Sequence, residues 1–464
     1  MTIDKQDQSF IETPADDDDD EAYEAAMAEE APVPDAALGV RKEMFVCNMR
    51  NHAYFFLPAM QTWSKESVNS RLPKVEWTGK NGELVEVNAA SWIGARATVE
   101  DVTWAPGYGR FIYNKLLSGG GGGWIDHRGV RCLNTYRPPS VAAGDAAKAR
   151  PWVDHVELIY PDEAAHIVSW LAHRVQRPQE KINHCLVLGG AQGIGKDSLL
   201  EPAKYAIGGW NFEDVSPTQL MGRFNGFLKS VILRVSETRD LGDVDRYGFY
   251  EAMKTYTAAP PDVLRIDEKF MQETYVVNVV GIVMTTNNKA GGIYLPADDR
   301  RHFVAWSNLT KDDFTEGYWN GLYRWYESGG LGDVAAYLAE HDLSAFNPKA
   351  PPAKTPAWHD IVSSSAAPEC AELADLIDKM RGPDALTLGD LRKEALVLTE
   401  ISEWLKDRKN RRQIPHRLED VGYVPVHNDL AKDGLWKISD ARQVVYAKAS
   451  LPLNDRIRAA RKLT

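Results

Sequence analysis

Apolar positions change rhythm several times along the chain, and each change marks a separate part. Across residues 39–136, short runs rich in β-branched and aromatic residues predict strands: Phe45-Val46-Cys47, Ala53-Tyr-Phe-Phe-Leu57 and Val130-Arg-Cys-Leu133. Asn81-Gly82 between such runs predicts a hairpin turn. The glycine run 119–123 has no lysine after it and no strand–helix frame, so it reads as a flexible turn before Trp124. Residues 161–175 predict a helix, with Pro161 at its start, Asp162 and Glu163 at the positive end of its dipole, and Ile167, Trp170, Leu171 and Val175 along one face. Between residues 182 and 306 strand-like and helix-like segments alternate, the pattern of a central parallel sheet. Tyr318, Trp319, Leu322, Tyr323, Trp325 and Tyr326 then form an aromatic helical stripe, read as core, that Gly329-Gly330 ends.

The proline-rich segment from Asn347 to Pro356 reads as a stiff linker. Beyond it, helical patterning runs through 391–405, and a second short helix would carry Arg411, Arg412, His416 and Arg417. Strand-like pieces follow at 423–426, 435–438 and 443–447, so the order is that of a winged helix. The expected organisation is an acidic tail over 1–38, a small β-rich domain over 39–150, and an α/β ATPase over 151–345. A linker over 346–358 and a winged-helix-like domain over 359–464 complete it.

Charge changes the picture once it is located. The net charge of −12 over 464 residues belongs to the tail: residues 1–38 hold 13 acidic residues and one basic residue, Lys5, while the rest is balanced. The run from Asp16 to Glu21 cannot bury enough apolar surface to fold and reads as a solvated, disordered tail. Residues 401–464 hold 14 basic and 8 acidic residues, which suits contact with phosphates, against the alternative of a protein-binding winged helix. The four cysteines lie far apart without C-x-x-C spacing, which argues against a disulfide framework or zinc ribbon and fits a reducing cytoplasm. Neither a membrane-spanning apolar run nor a signal-peptide pattern is visible, so a soluble cytoplasmic protein is expected.

The strongest chemical signal is the strand Cys185-Leu-Val-Leu running into Gly190-Ala191-Gln192-Gly193-Ile194-Gly195-Lys196-Asp197-Ser198 and then into a helix pattern. Glycines in G-x-x-x-x-G-K let backbone N–H groups face phosphates, and Lys196 reaches the β and γ phosphates. Asp197 stands where Ser or Thr holds Mg²⁺; an aspartate can itself ligate that ion, and Ser198 is adjacent. Some forty residues on, Ser230-Val-Ile-Leu-Arg-Val-Ser-Glu237 is a strand ending in an acid, and Glu237 would orient water and help hold Mg²⁺. Its oddities are Ser236 in place of a first acid and Arg234 within a buried strand. A third strand runs into Thr285-Thr286-Asn287, where an amide could sense the γ-phosphate. Asp298-Asp299-Arg300-Arg301 follows; one arginine would act as a finger toward a neighbouring subunit, or else pair with Asp298 or Asp299 on the surface.

This order of motifs resembles superfamily 3 helicases, above all the helicase half of phage and plasmid primase-helicases and their poxvirus-type relatives. Trp170-Leu-Ala-His-Arg-Val-Gln-Arg-Pro178, the loop 190–197 with its Asp197, and Leu133-Asn-Thr-Tyr-Arg-Pro138 are similar to segments of the phage group. The resemblance spans about residues 40–345, and the C-terminal module more loosely. It implies an AAA+-like P-loop ATPase using ATP and Mg²⁺, with Lys196 on phosphate, Glu237 as acid, Asn287 as sensor, and Arg300 or Arg301 as finger in trans. It further implies that Arg265-Ile-Asp-Glu-Lys269-Phe270 is a hairpin projecting into a ring channel, where Lys269 grips phosphate and Phe270 meets sugar or base. The implied assembly is a hexamer or heptamer on single-stranded or forked DNA, moving 3′ to 5′. No convincing primase site precedes the ATPase, so priming would come from another protein. Two alternatives stand beside this: a nucleotide-switched DNA-binding or assembly protein with weak ATPase activity, favoured by Ser236 and Arg234, and a small-molecule kinase, which the hairpin segment and the D-x-R-R motif disfavour.

Overall fold

The computed structural model describes residues 39–464 except 79–81, 120–122, 143, 237–242, 270, 290–292, 365–367, 396–398 and 440. The acidic tail, Glu237, Phe270 and the side chain of Arg412 therefore lie outside the described residues. The chain divides into two compact units, residues 1–102 with 130–132, and residues 103–129 with 133–464. Within the described residues no helix is long and apolar enough to cross a membrane.

In the first unit, strands Phe45–Asn48 and Ala53–Phe56 pair antiparallel, with Gln61–Trp63 and Thr98–Val99 at the edges. Two helices, Lys65–Arg71 and Ala89–Arg96, bury Val68 and Ile93 against Phe45 and Cys47. Ser64 caps the first helix by accepting from the Ser67 N–H. Strands Val75–Thr78 and Leu84–Val87 pair antiparallel, and Gly82 ahead of the second takes φ +84°, while Asn81 lies outside the described residues.

The second unit holds more of the β-rich stretch than the sequence pattern assigns to it. Strand Phe111–Ser118 has as its neighbour the strand Gly123–Asn134, of which residues 123–129 belong to this unit. Helices α1 (Arg150–Ile159) and α2 (Ala164–Gln176) lead into β1 (Cys185–Gly189), α3 (Lys196–Ile207), β2 (Phe212–Val215), β3 (Ile232–Val235) and α4 (Asp243–Thr257). A two-stranded hairpin, β4 (Val263–Ile266) and β5 (Thr274–Val277), precedes β6 (Gly281–Thr286) and β7 (His302–Trp306). α5 (Glu316–Trp325) and α6 (Leu331–Glu340) follow, separated where Gly329 takes φ +112°. Strands β2, β3, β6, β1 and β7 lie side by side in that order, all parallel. Every residue of β1 and β6 is buried, as a sheet covered on both faces demands.

Helix α2 begins at Ala164, three residues later than the pattern indicates, because residues 161–163 form a turn closed onto the Tyr160 carbonyl. Its buried face carries Ile167, Trp170 and Leu171, and also a charge the pattern does not anticipate. Arg174 is fully buried and donates to Val279 O at 2.8 Å, to Arg177 O at 3.0 Å and to Glu180 O. Lys181 joins it by donating to Val280 O at 2.7 Å. Two cations thus hold the carbonyls that precede β6, and Gly281 leaves the room: a Cβ there would lie 2.6 Å from Arg174 Cδ.

The proline-rich segment is not a free spacer. Pro348 O accepts from Asn183 N at 2.8 Å, Lys354 Nζ donates to Ala297 O at 3.0 Å, and Thr355 Oγ1 donates to Val304 O at 2.6 Å, which pins it beside β7. Beyond it, helices Pro368–Lys379, Leu388–Glu394, Thr399–Lys406 and Ile414–Asp420 surround a sheet in the order Ala385–Thr387, Val445–Lys448, Tyr423–Val426. A hairpin, Trp436–Ile438 with Ala441–Gln443, stands beside it. The second basic helix expected here is divided: Arg408–Arg412 forms a 3₁₀ turn, and Pro415 lies in the first turn of the separate helix that carries His416 and Arg417.

Two expectations follow from these buried polar groups. Arg174→Met strands several carbonyls at once, so it lowers stability by about 3 kcal/mol or more, read as a depressed denaturation midpoint. His166 and His184 share a 3.0 Å ring-nitrogen contact, and burial pushes them down to about 4 and about 3. The fold therefore keeps them neutral while the unfolded chain protonates below an ordinary value of about 6.5. Stability is lost as pH falls from there toward 4, at about 1.4 kcal/mol per pH unit for each. Thermal melts over that range should show the slope, and a His166→Gln, His184→Gln variant should reduce it, leaving the part due to His173, which burial lowers to about 3.

Candidate functional site

At the carboxyl ends of β1, β3 and β6, a cavity of about 470 Å³ is lined by Gln192, Gly193, Gly195, Lys196, Asp197 and Ser198 from the loop and α3. Arg234, Ser236, Thr285 and Asn287 line it from the strand ends, and Trp319 and Tyr323 from α5. The loop is a chain of backbone turns that only glycine takes readily: Gly190, Gly193 and Gly195 have φ of +142°, +84° and +92°. Gly195 also heads α3, which no side chain caps, so the positive end of the helix faces the cavity. Ile194 is a buried plug under the loop, and Ala191 contributes its carbonyl, so these two take part through the backbone.

Lys196 Nζ donates to Gly190 O, Ala191 O and Asn287 Oδ1, each at 2.8 Å. The strand order explains this meeting. Because β6 lies between β1 and β3, its carboxyl end delivers Asn287 beside the loop that follows β1. Burial pulls the Lys196 ammonium down to about 8, against the opposing attraction of Asp197.

The carboxylate read as a metal ligand has a protein partner. Arg234 donates to Asp197 Oδ1 at 2.5 Å and also pairs with Asp214 at the end of β2. That bridge explains an arginine in a buried strand: its guanidinium leaves the strand end and links two acids on neighbouring elements. Ser198 is engaged too, its Oγ lying 2.7 Å from Tyr323 Oη, while Tyr326 Oη donates to Ser198 O at 2.9 Å. The aromatic stripe of α5 is accordingly split. Leu322 and Tyr326 are core, whereas Trp319 and Tyr323 face the cavity, which corrects the reading of the whole stripe as core.

Arg300 and Arg301 are not brought to this cavity. They precede β7, at the amino edge of the sheet, about 16 Å along a five-residue strand from the carboxyl edge where the loop lies. Neither forms an ion pair with Asp298 or Asp299. Asp299 is instead a buried hub that accepts from His302 Nδ1 at 2.9 Å, Tyr250 Oη at 3.1 Å and Trp358 Nε1 at 3.4 Å. Burial alone would raise its carboxyl, yet these bonds to His302, Trp358 and Tyr250 hold it below the ordinary carboxylate value. The segment bearing the arginines is thereby tied to α4 and to the helix after the proline-rich stretch.

The β4–β5 hairpin turns over residues 267–273, with Lys269 exposed near its tip. Segment 223–229 braces it: Arg223 Nε donates to Asp267 Oδ2 at 2.9 Å, Lys229 Nζ donates to Glu268 Oε2 at 2.6 Å, and Asn225 bonds the Asp267 N–H and the Arg265 carbonyl. Arg223 and Phe224, both exposed, therefore form a cation–aromatic pair at this turn, tied to it through Asp267. Sequence reading missed them, since Arg-Phe at a turn carries no signal until the hairpin is placed next to it. In the C-terminal module Arg411 is exposed, while Arg417 pairs with Asp420 at 3.4 Å.

Comparison with known proteins bears on the fold. Residues 188–301 match a family model described as a family of unknown function, DUF5906. No curated protein matches the sequence. A solved apo structure of the NrS-1 C-terminal region (305–718) is similar with a TM-score of 0.57 at 13% identity, over 87% of this chain and 95% of that one. A second form of the same region gives a TM-score of 0.54 at 13% identity, over 87% and 96%. A structure of JCV helicase is similar far more loosely, with a TM-score of 0.28 at 10% identity, over 51% of this chain and 66% of that one. The chain shares the mixed α/β fold of the NrS-1 C-terminal region over most of both lengths.

Proposed function

We propose that this chain is a ring-forming, ATP-driven motor of the superfamily 3 type that translocates on and unwinds DNA during replication of a phage or mobile element. The observation that carries this reading is the 2.8 Å contact of Lys196 with Asn287 inside a glycine-lined cavity at a helix start. A polyphosphate entering there meets the positive end of α3 and the Lys196 ammonium. Asn287, touching the same ammonium, then registers the terminal phosphate and positions water together with Glu237, which follows β3.

Mg²⁺ fits this donor set. It needs only one or two carboxylates besides phosphate oxygens and water. Asp197 lies at the head of α3 with its side chain 80% exposed, and its pair with Arg234 engages one oxygen. Glu237 would be the second acid. The ion would neutralise charge between the β and γ phosphates. Arg234 stays in the cavity as a cation facing the same phosphates, shared between Asp197 and Asp214.

Arg300 or Arg301 would reach a neighbour's cavity, since each lies across the sheet from its own. Hydrolysis then requires assembly, as a hexamer or heptamer, in the cytoplasm. Lys269 with Phe270, and Arg223 with Phe224 at the same turn, would grip single-stranded or forked DNA along the channel. The order of helices, strands and hairpin in the C-terminal module suits a winged helix whose Arg411 and Arg412 contact phosphate. A separate primase would supply primers. A second reading, a nucleotide-switched assembly protein with weak turnover, is favoured by the Arg234 bridge, which already occupies Asp197.

Steady-state ATP hydrolysis separates the two. The motor reading expects turnover that rises with single-stranded DNA and with protein concentration, and that vanishes in Lys196→Ala. ATP binding with negligible turnover at every concentration would favour the switch, and full turnover by a monomer would overturn the arginine in trans. The lowered Lys196 ammonium adds a pH signature. Above about 8 the lysine must take up a proton before it can hold phosphate. Affinity for inorganic tripolyphosphate should therefore fall by up to about tenfold per pH unit above that point, in calorimetric titrations, and Lys196→Ala should lose the dependence.

A further inference from the structure

The cavity lining is of two chemical kinds, and the motor reading uses only one of them. Lys196, Asn287, Arg234 and Asp197 make the charged and polar kind. Trp319 and Tyr323 make the other. These two aromatics are four residues apart on α5 and so share a face, while Leu322 and Tyr326 turn into the core. Tyr323 is 48% exposed, so its ring is open to a ligand in the cavity.

The platform is fastened to the phosphate loop on both sides. Tyr318 Oη lies 2.6 Å from His155 Nδ1, and His155 Nε2 lies 3.2 Å from Gly195 O. Tyr326 Oη reaches Ser198 O at 2.9 Å. Trp319 is backed by Phe314, with ring centroids 5.0 Å apart, and its ring comes within 2.6 Å of where a Cβ on Gly195 would stand. The indole is thus held in one orientation relative to the loop. Ser198, on the first turn of α3, touches Tyr323 and marks the join between the two kinds of lining.

We infer that Trp319 is the stacking platform for the base of a purine nucleoside triphosphate, with Tyr323 and Ser198 at its sugar–phosphate junction. The inference rests on the nucleotide reading of the phosphate loop and goes beyond it to the identity of the ligand. An aromatic face attracts every base through its π surface and does not read base edges, so the site favours the larger purines over pyrimidines and accepts adenine and guanine alike. Helix α5 then gains a purpose: it converts a phosphate site into a nucleotide site.

Calorimetric titration of the full chain with ATP, GTP, CTP and inorganic tripolyphosphate tests this. ATP and GTP should bind within about threefold of each other and CTP more weakly. Trp319→Ala should weaken ATP about tenfold or more and leave tripolyphosphate unchanged, which also shows that the variant is folded. Trp319→Phe should recover most of the loss. Equal loss of ATP and tripolyphosphate in Trp319→Ala, or no loss of either, would overturn the base platform while leaving the phosphate loop standing. Failure of the wild-type chain to bind either ligand, with Lys196→Ala indistinguishable from it, would remove the nucleotide reading itself.

Discussion

The contact between Lys196 and Asn287 depends on a strand order, and much of the second unit serves that order. β6 must lie between β1 and β3 for its end to reach the loop after β1. A parallel strand in that place is buried on both faces, so its length is apolar and its ends carry the polar work. At the amino end, Arg174 and Lys181 bind the carbonyls of Val279 and Val280. At the carboxyl end, Asn287 meets the lysine. Buried cations at one end and a partly buried lysine–amide contact at the other leave little freedom for the strand to slip, because each buried carbonyl left unmatched would be costly.

Charge in the cavity is arranged by bridging. Arg234 leaves β3 to join Asp197 of α3 to Asp214 of β2, and so places a cation between two carboxylates near the glycine loop. An arginine can do this because its planar guanidinium offers several donors at once. The same bridge supports both functional readings. A motor can use Arg234 to balance phosphate charge, and a slow switch can use it to hold Asp197 away from an ion. The opposite edge of the sheet is organised around Asp299, which gathers His302, Tyr250 and Trp358 and leaves the neighbouring Arg300 exposed.

The glycine loop 190–195 and its strand–helix frame were legible in the sequence, because glycine spacing and apolar runs are local. So were the parallel sheet and the strand at 423–426. Other features were illegible for identifiable reasons. Arg234 looked misplaced because its partners, Asp197 and Asp214, are 37 and 20 residues away in sequence. The stripe on α5 was taken as core because helical spacing shows that residues share a face, but not what that face meets. Arg223 and Phe224 gained meaning only beside the hairpin tip.

The sequence by itself determined where the positive-φ loop before α3 can form, since glycines in a fixed spacing before a helix permit those φ angles and little else does. It also determined that a parallel sheet follows residue 182, and that the acidity is confined to the tail. Only the tertiary structure decided which residues share the cavity. Strand order is set by crossover connections and by packing on both faces, and these join positions separated by ninety residues, as with Lys196 and Asn287. The same packing decided that Arg300 and Arg301 lie across the sheet from Lys196, and that Trp319 and Tyr323 stand at the cavity rather than in the core.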